Sequence, residues 1–171
     1  MAKKIAVVLT DLFEDVEYTD PAKAYQDAGH EMTVIEKEKG KTLTGKNGEA
    51  EVTVDASIDE VKPEDFDALL IPGGFSPDQL RADDRFVDFA GSFMSTKKPV
   101  FAICHGPQLL ITARSLEGRK ATGFKSIQVD LDYAGADLHD EEVVNCGDQL
   151  ITSRQPDDIP AFNKETLRIL N

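Results

Sequence analysis

Two short runs, Asp67 to Ile71 and Pro99 to Ile103, are built almost wholly from apolar side chains. A strand with one face in water alternates apolar and polar residues. These runs do not, so they predict strands covered on both faces, as in a parallel sheet held between helix layers. Each run stops abruptly, the first at Pro72-Gly73-Gly74 and the second at Cys104-His105-Gly106-Pro107.

The rest of the chain alternates in keeping with that. Lys4 to Thr10 reads as the first strand. A helix follows from about Asp20 to Ala28, with Asp20 as N-cap, Pro21 at the first helical position and Gly29 as C-cap. His30 to Glu36 reads as a second strand. Gly45, Asn47 and Gly48, ahead of the alternating Val52 and Val54, predict a hairpin on a sheet edge between Gly40 and Asp55. A polar helical segment spans roughly Pro77 to Thr96, and a helix runs from Gln108 to Ser115. After Lys120 to Gly123 come a helix around Ile127 to Ala134, a strand pair at Val143-Val144 and Gln149 to Ser153, and a last helix through Leu170 capped by Asp157 or Asp158. Such alternation predicts an α/β fold with a doubly wound, mainly parallel sheet and helices on both faces. Ligand sites in these sheets lie beyond the carboxyl ends of the strands. Asp11 to Glu17, Pro72 to Asp78 and Cys104 to Pro107 all fall there.

The 171 residues suit a single domain, 1–171, with a core that needs no disulfide or metal staple. With 32 acidic against 19 basic residues the net charge is -13. Such a surface repels phosphate backbones and anionic lipid, so neither nucleic acid nor a membrane is expected as a partner. No apolar run approaches a membrane span, and Met1-Ala2-Lys3-Lys4 leads directly into the first strand. A cytoplasmic chain with two free cysteines is the expectation. The cysteines are not paired as CxxC and the three histidines are scattered, so no metal and no cofactor is expected.

Ala102-Ile103-Cys104-His105-Gly106 has the small-x-nucleophile-x-Gly layout of a nucleophile elbow. Small residues on either side let strand and helix approach closely, holding the central residue in a strained conformation with its side chain exposed. The following helix N-terminus favours thiolate over thiol, and can lower a cysteine pKa from about 8.5 toward about 4–7. Cys146, beside Gly147-Asp148, has no such setting and reads as a packing residue. The glycines after Ile71 can turn amide groups outward, so Gly74 and His105 N–H are candidate oxyanion-hole donors. No GxGxxG or GKT/S pattern supports a phosphate site. Glu14 begins just past the first strand, where a carboxyl could reach the sulfur and hold its own proton beside a thiolate. Asp78 reads as a first-turn helix acid, or as an acid that orients a histidine in a Cys–His–Asp arrangement.

Taken together, Phe-Glu-Asp-Val-Glu at 13–17, Pro-Gly-Gly-x-x-Pro-acid at 72–78, Ala-Ile-Cys-His-Gly-Pro at 102–107 and Thr-Ser-Arg-Gln-Pro-Asp-Asp at 152–158 resemble the PfpI family. This is the intracellular-protease-like and Parkinson-protein-like branch of the class I glutamine amidotransferase-like fold, and the chain looks most similar to its bacterial general stress proteins. The resemblance implies a flavodoxin-like fold and a homo-oligomer, dimer or hexamer. It makes Cys104 the nucleophile, His105 its partner, Glu14 the buried acid that hydrogen-bonds the cysteine, and Gly74 and His105 the oxyanion amides. It matches Asp78 to a family glutamate that acts across a subunit interface. The activities it implies are action on reactive carbonyls or their protein adducts, peptidase activity, and redox sensing or chaperoning through an oxidisable Cys104. The partners it implies are accordingly a small reactive carbonyl or a modified or unfolded protein.

Overall fold

The computed structural model describes residues 1–171. Its main sheet contains β1 (Lys4–Val8), β2 (Glu31–Glu36), β5 (Ala56–Ser57), β6 (Ala68–Ile71), β7 (Val100–Ile103), β10 (Val144–Cys146) and β11 (Leu150–Ser153), in the order β10-β11-β7-β6-β1-β2-β5. All neighbours run parallel except β10 and β11. The five long parallel strands, counted along the chain, stand in the order 2-1-3-4-5, which is the doubly wound flavodoxin arrangement. Its switch point lies between β1 and β6, where successive connections leave toward opposite faces. The crevice at their carboxyl ends is therefore fixed by topology.

Strands β6 and β7 are wholly buried, in register Leu69↔Val100 through Ile71↔Ala102. Alternate side chains divide between two cores. Ala6, Val8, Leu69, Ile71 and Ala102 face one, packed under α3 (Asp84–Ser95) and α4 (Pro107–Thr112). Ile5, Val7, Leu70, Phe101 and Ile103 face the other, under α1 (Asp15–Asp27) and α6 (Ile159–Leu170). This is the two-sided burial that the apolar runs predict. No helix is long and apolar enough to cross a membrane.

Several boundaries differ from the sequence reading. Helix α1 starts at Asp15, not Asp20, and carries Pro21 inside it. Proline has a helical φ and costs one backbone hydrogen bond there. Upstream, Asp15 and Glu17 gain partners that only a helical Asp15–Glu17 segment provides. The single helical segment expected over Pro77–Thr96 breaks into α2 (Ser76–Leu80) and α3, because Asp83 turns out of the helix and caps α3 by accepting from the Arg85 N–H at 3.0 Å. The hairpin of β3 (Thr42–Thr44) and β4 (Glu51–Thr53) does not extend the sheet edge. It forms its own two-stranded sheet, with its tip tied to the β1–α1 loop by Leu12 N–H to Thr44 O and Lys46 N–H to Phe13 O. Lys120–Ala121 (β8) pairs with Asp137–Leu138 (β9) in a second small sheet, with α5 (Gln128–Tyr133) between them.

Candidate active site

The elbow forms as its spacing predicts. Cys104 has φ 62°, a left-handed conformation that β-carbon-bearing residues rarely adopt. Three backbone bonds over-determine it: Cys104 N–H donates to Ser153 O at 3.0 Å, Phe124 N–H donates to Cys104 O at 2.9 Å, and Gly106 N–H donates to Ile103 O at 2.8 Å. Gly106 has to be glycine, because a Cβ there would stand 2.3 Å from Ile71 O. The sulfur is less open than the motif suggests, with Cys104 only 6% exposed.

Around the sulfur the structure gathers groups from four segments. His105 Nδ1 lies 3.3 Å from Sγ. Its ring stacks on Phe124 at a centroid separation of 5.0 Å, and its Nε2 lies 3.3 Å from Ser126 Oγ. The Gly74 and His105 amides lie near the sulfur and stabilise its thiolate form. Gly74 takes a left-handed φ of 75°, which glycine adopts freely, and the Phe13–Gly74 bridge holds it against the β1–α1 loop, where a Cβ would meet Glu14 N at 2.4 Å. The two amides expected to form an oxyanion hole thus both favour negative charge at the sulfur.

The acid beside the sulfur is Glu17, not Glu14. Glu17 is fully buried beside the Cys104 thiol; its Oε1 accepts from Gly73 N–H at 2.9 Å and its Oε2 has no hydrogen-bond partner. Glu14 instead turns outward as the N-cap position of α1. It pairs with Lys46 Nζ at 2.6 Å and accepts from Asn47 Nδ2 at 2.8 Å. The physical reason is helical phase. With α1 starting at Asp15, Glu17 lies in its first turn and faces the sheet end, while Glu14 stays at the N-cap beside Lys46. Asp78 lies exposed in the first turn of α2 and makes no hydrogen bond to His105 within the chain.

Burial pushes the Glu17 carboxyl up to about 8, with the Glu14 charge adding to the rise against the Gly73 amide. Burial also pushes the Cys104 thiol up, and a Glu17 carboxylate beside it adds to that. The Gly74 and His105 amides oppose both effects. The helix-end effect expected to lower the thiol pKa is thus outweighed, because α4 is only six residues long and the sulfur is almost sealed. Both groups are thus held in their protonated forms at neutral pH, and ionising either one opposes ionising the other. Burial and then the Lys46 charge hold His105 below its usual value, against a smaller upward pull from Asp78. It faces the sulfur as a neutral ring at neutral pH.

Lys46 and Ser126 were not singled out from the sequence. Lys46 arrives on the hairpin tip, which Asp15 clamps by accepting from Asn47, Glu49 and Ala50 N–H at 2.8, 3.0 and 2.8 Å. The signal for it was Gly45, whose missing Cβ makes room for the Asp15 carboxylate. No group of three His, Cys, Asp or Glu side chains is arranged to hold a metal ion.

The model of the DJ-1/PfpI family matches residues 3–169. General stress protein 18 of Bacillus subtilis is 74% identical over 170 residues, covering 99% of each chain. Protein/nucleic acid deglycase 2 of Escherichia coli is 61% identical over 170 residues, again covering 99% of each. Among solved structures, a two-domain protein from Anabaena variabilis with DJ-1/ThiJ/PfpI-like and ferritin-like domains superposes with a TM-score of 0.95 at 39% identity. That match covers 98% of this chain and 50% of the other.

Proposed function

The chain belongs to the DJ-1/PfpI family, and from that premise we propose that it is a stress-response, cysteine-dependent hydrolase or lyase of the cytoplasm, acting on reactive carbonyls or their protein adducts. The observation that carries this reading is the convergence of Cys104 with Glu17, a neutral His105 and two inward amides at the end of β7. The deglycase name of the Escherichia coli relative supports the substrate class.

With Glu17 protonated, the sulfur gives its own proton to His105 Nδ1, the ring releases one from Nε2 to water, and the thiolate attacks the aldehyde carbon. A C–S bond forms and the carbonyl π pair moves onto oxygen, between the Gly74 and His105 amides. That oxygen takes the proton Glu17 held, directly or through His105, giving a hemithioacetal. His105 then moves protons for the next step as a neutral base. The decisive experiment is methylglyoxal consumption by purified protein beside Cys104→Ala. Turnover that depends on Cys104 is expected, and equal rates in the two would remove the reading.

A peptidase reading is weaker, because Cys104 is nearly closed off and Asp78 does not reach His105 within the chain. An oxidation reading has a specific support: Glu17 Oε2 has no hydrogen-bond partner, and a protonated carboxyl there can donate to a sulfinate oxygen. Peroxide-treated protein would then carry the sulfinate on Cys104, and Glu17→Ala would not retain it. The proposal includes a homo-oligomer, since Leu12 and Phe75 stand exposed beside the mouth, where a second copy would cover them and bring its Asp78 near. Sedimentation showing only monomer at micromolar concentration would refute that part.

A further inference from the structure

His105 has two ring nitrogens, and only one of them faces the sulfur. The other, Nε2, meets Ser126 Oγ at 3.3 Å rather than an acid. The segment that carries Ser126 is tied to the elbow itself. Phe124 N–H donates to Cys104 O at 2.9 Å, the Phe124 ring stacks on the imidazole, and Ile127 N–H closes a 3-10 turn onto Phe124 O at 2.9 Å. Thr122 N–H donates to Thr152 Oγ1 at 2.9 Å, anchoring the same segment to β11. A Cβ at Gly123 would crowd Cys104 O at 3.2 Å, so the segment lies close against the cysteine backbone. Ser126 is thus held at Nε2 by the same contacts that hold the elbow.

We infer that Ser126 is the positioning residue of His105, and that its hydroxyl serves both tautomers of the ring. This rests on the proposed role of Cys104 and His105. While the sulfur keeps its proton, Nδ1 accepts from S–H and Nε2–H donates to Ser126 Oγ. Once the thiol proton has passed to Nδ1 and the Nε2 proton to water, Nδ1–H faces the thiolate and the Ser126 O–H donates to the bare Nε2. A carboxylate in this place would accept only, locking Nε2–H and favouring imidazolium. A hydroxyl can reverse its bond, and Ser126 is exposed, so the proton balance of the ring is open to water.

The test uses full-length protein as wild type and as Ser126→Ala, Ser126→Thr and Ser126→Asp, with Cys104→Ala as control. Ser126 is exposed, so all three variants are expected to fold. A neutral hydrogen bond of this kind is worth up to about tenfold in rate. Ser126→Ala is expected to lower kcat on methylglyoxal by about that factor with KM unchanged and to shift the pH limb that reports His105. Ser126→Thr restores both. Ser126→Asp raises the His105 pKa in ring-nitrogen NMR. A wild-type pH profile, kcat and ring-nitrogen spectrum in Ser126→Ala would overturn the inference. Turnover that persists in Cys104→Ala would instead overturn the proposed function. In that case the ring-nitrogen comparison of wild type with Ser126→Ala still decides the role of Ser126.

Discussion

The Glu17 carboxyl accepts the Gly73 amide hydrogen bond at 2.9 Å and lies beside the Cys104 thiol, whose pKa its charge raises. One buried side chain therefore joins the glycine turn to the elbow. Its position has a consequence for stability. A carboxyl raised from 4.5 to about 8 on folding binds more protons folded than unfolded between those values. Its contribution is full below pH 4.5 and is lost as pH rises through about 8. Glu17→Gln, which never ionises, should gain on the wild type across that window. The amide brings its own pH-independent offset, so the informative quantity is the slope of the difference in unfolding free energy. A flat difference between pH 4.5 and 8 would show that Glu17 is not buried with its proton.

Gly74 allows a second prediction. Alanine there meets Glu14 N at 2.4 Å in a conformation of φ 75°. The loop has to move, and the amide leaves the sulfur. Losing one inward donor of this kind typically costs about 10²–10³ in kcat. Gly74→Ala should lose that much Cys104-dependent turnover, and a variant retaining full kcat would argue that the amide has no part in the chemistry.

The clamp made by Asp15 is a stability prediction. Burial pushes its carboxyl up, but the amides of Asn47, Ala50 and Glu49 together pull it further down, below the ordinary value. Its stabilisation is present above the unfolded pKa of 3.8 and disappears as pH falls through the lower folded value. Asp15→Ala leaves three backbone N–H groups to find new partners and should destabilise by about 2–4 kcal/mol at neutral pH. Faster amide exchange at residues 45–50 is the local signature. Unchanged exchange there would mean the hairpin tip is held by something else.

The mouth charges tune His105 in opposite senses. Lys46 pulls its pKa down and Asp78 pulls it up, with burial the largest effect. Lys46→Met should raise the His105 pKa and Asp78→Asn should lower it further, both read by NMR of the ring. The cysteine-dependent rate should move along the pH axis with them. Shifts of the same sign in the two variants would contradict the charge assignment.

Much of this site is local chain chemistry. The apolar runs at Ala68–Ile71 and Val100–Ile103 required strands buried on both faces, and a small-x-Cys-x-Gly turn after such a strand has few conformations other than an elbow. Cys104, His105 and Gly74 were therefore legible, since each follows directly from the end of a strand. The carboxyl was not. Glu14 and Glu17 lie three residues apart on one segment, and which of them faces the sulfur depends on where α1 begins. Local signals set that start at Asp20-Pro21. The structure begins it at Asp15, because Asp15 gains three amide partners from a hairpin more than thirty residues away and Glu17 gains the Gly73 amide. Those contacts outweigh one proline in a helix. Lys46 and Ser126 likewise reach the site only through loops placed by packing, and the sulfur is shielded by neighbours no motif names. The sequence by itself determined which sulfur is the candidate nucleophile and which backbone turn holds it. The tertiary structure decided which acid, which cation and which hydroxyl surround it, because helix phase and loop docking are set by contacts distant along the chain.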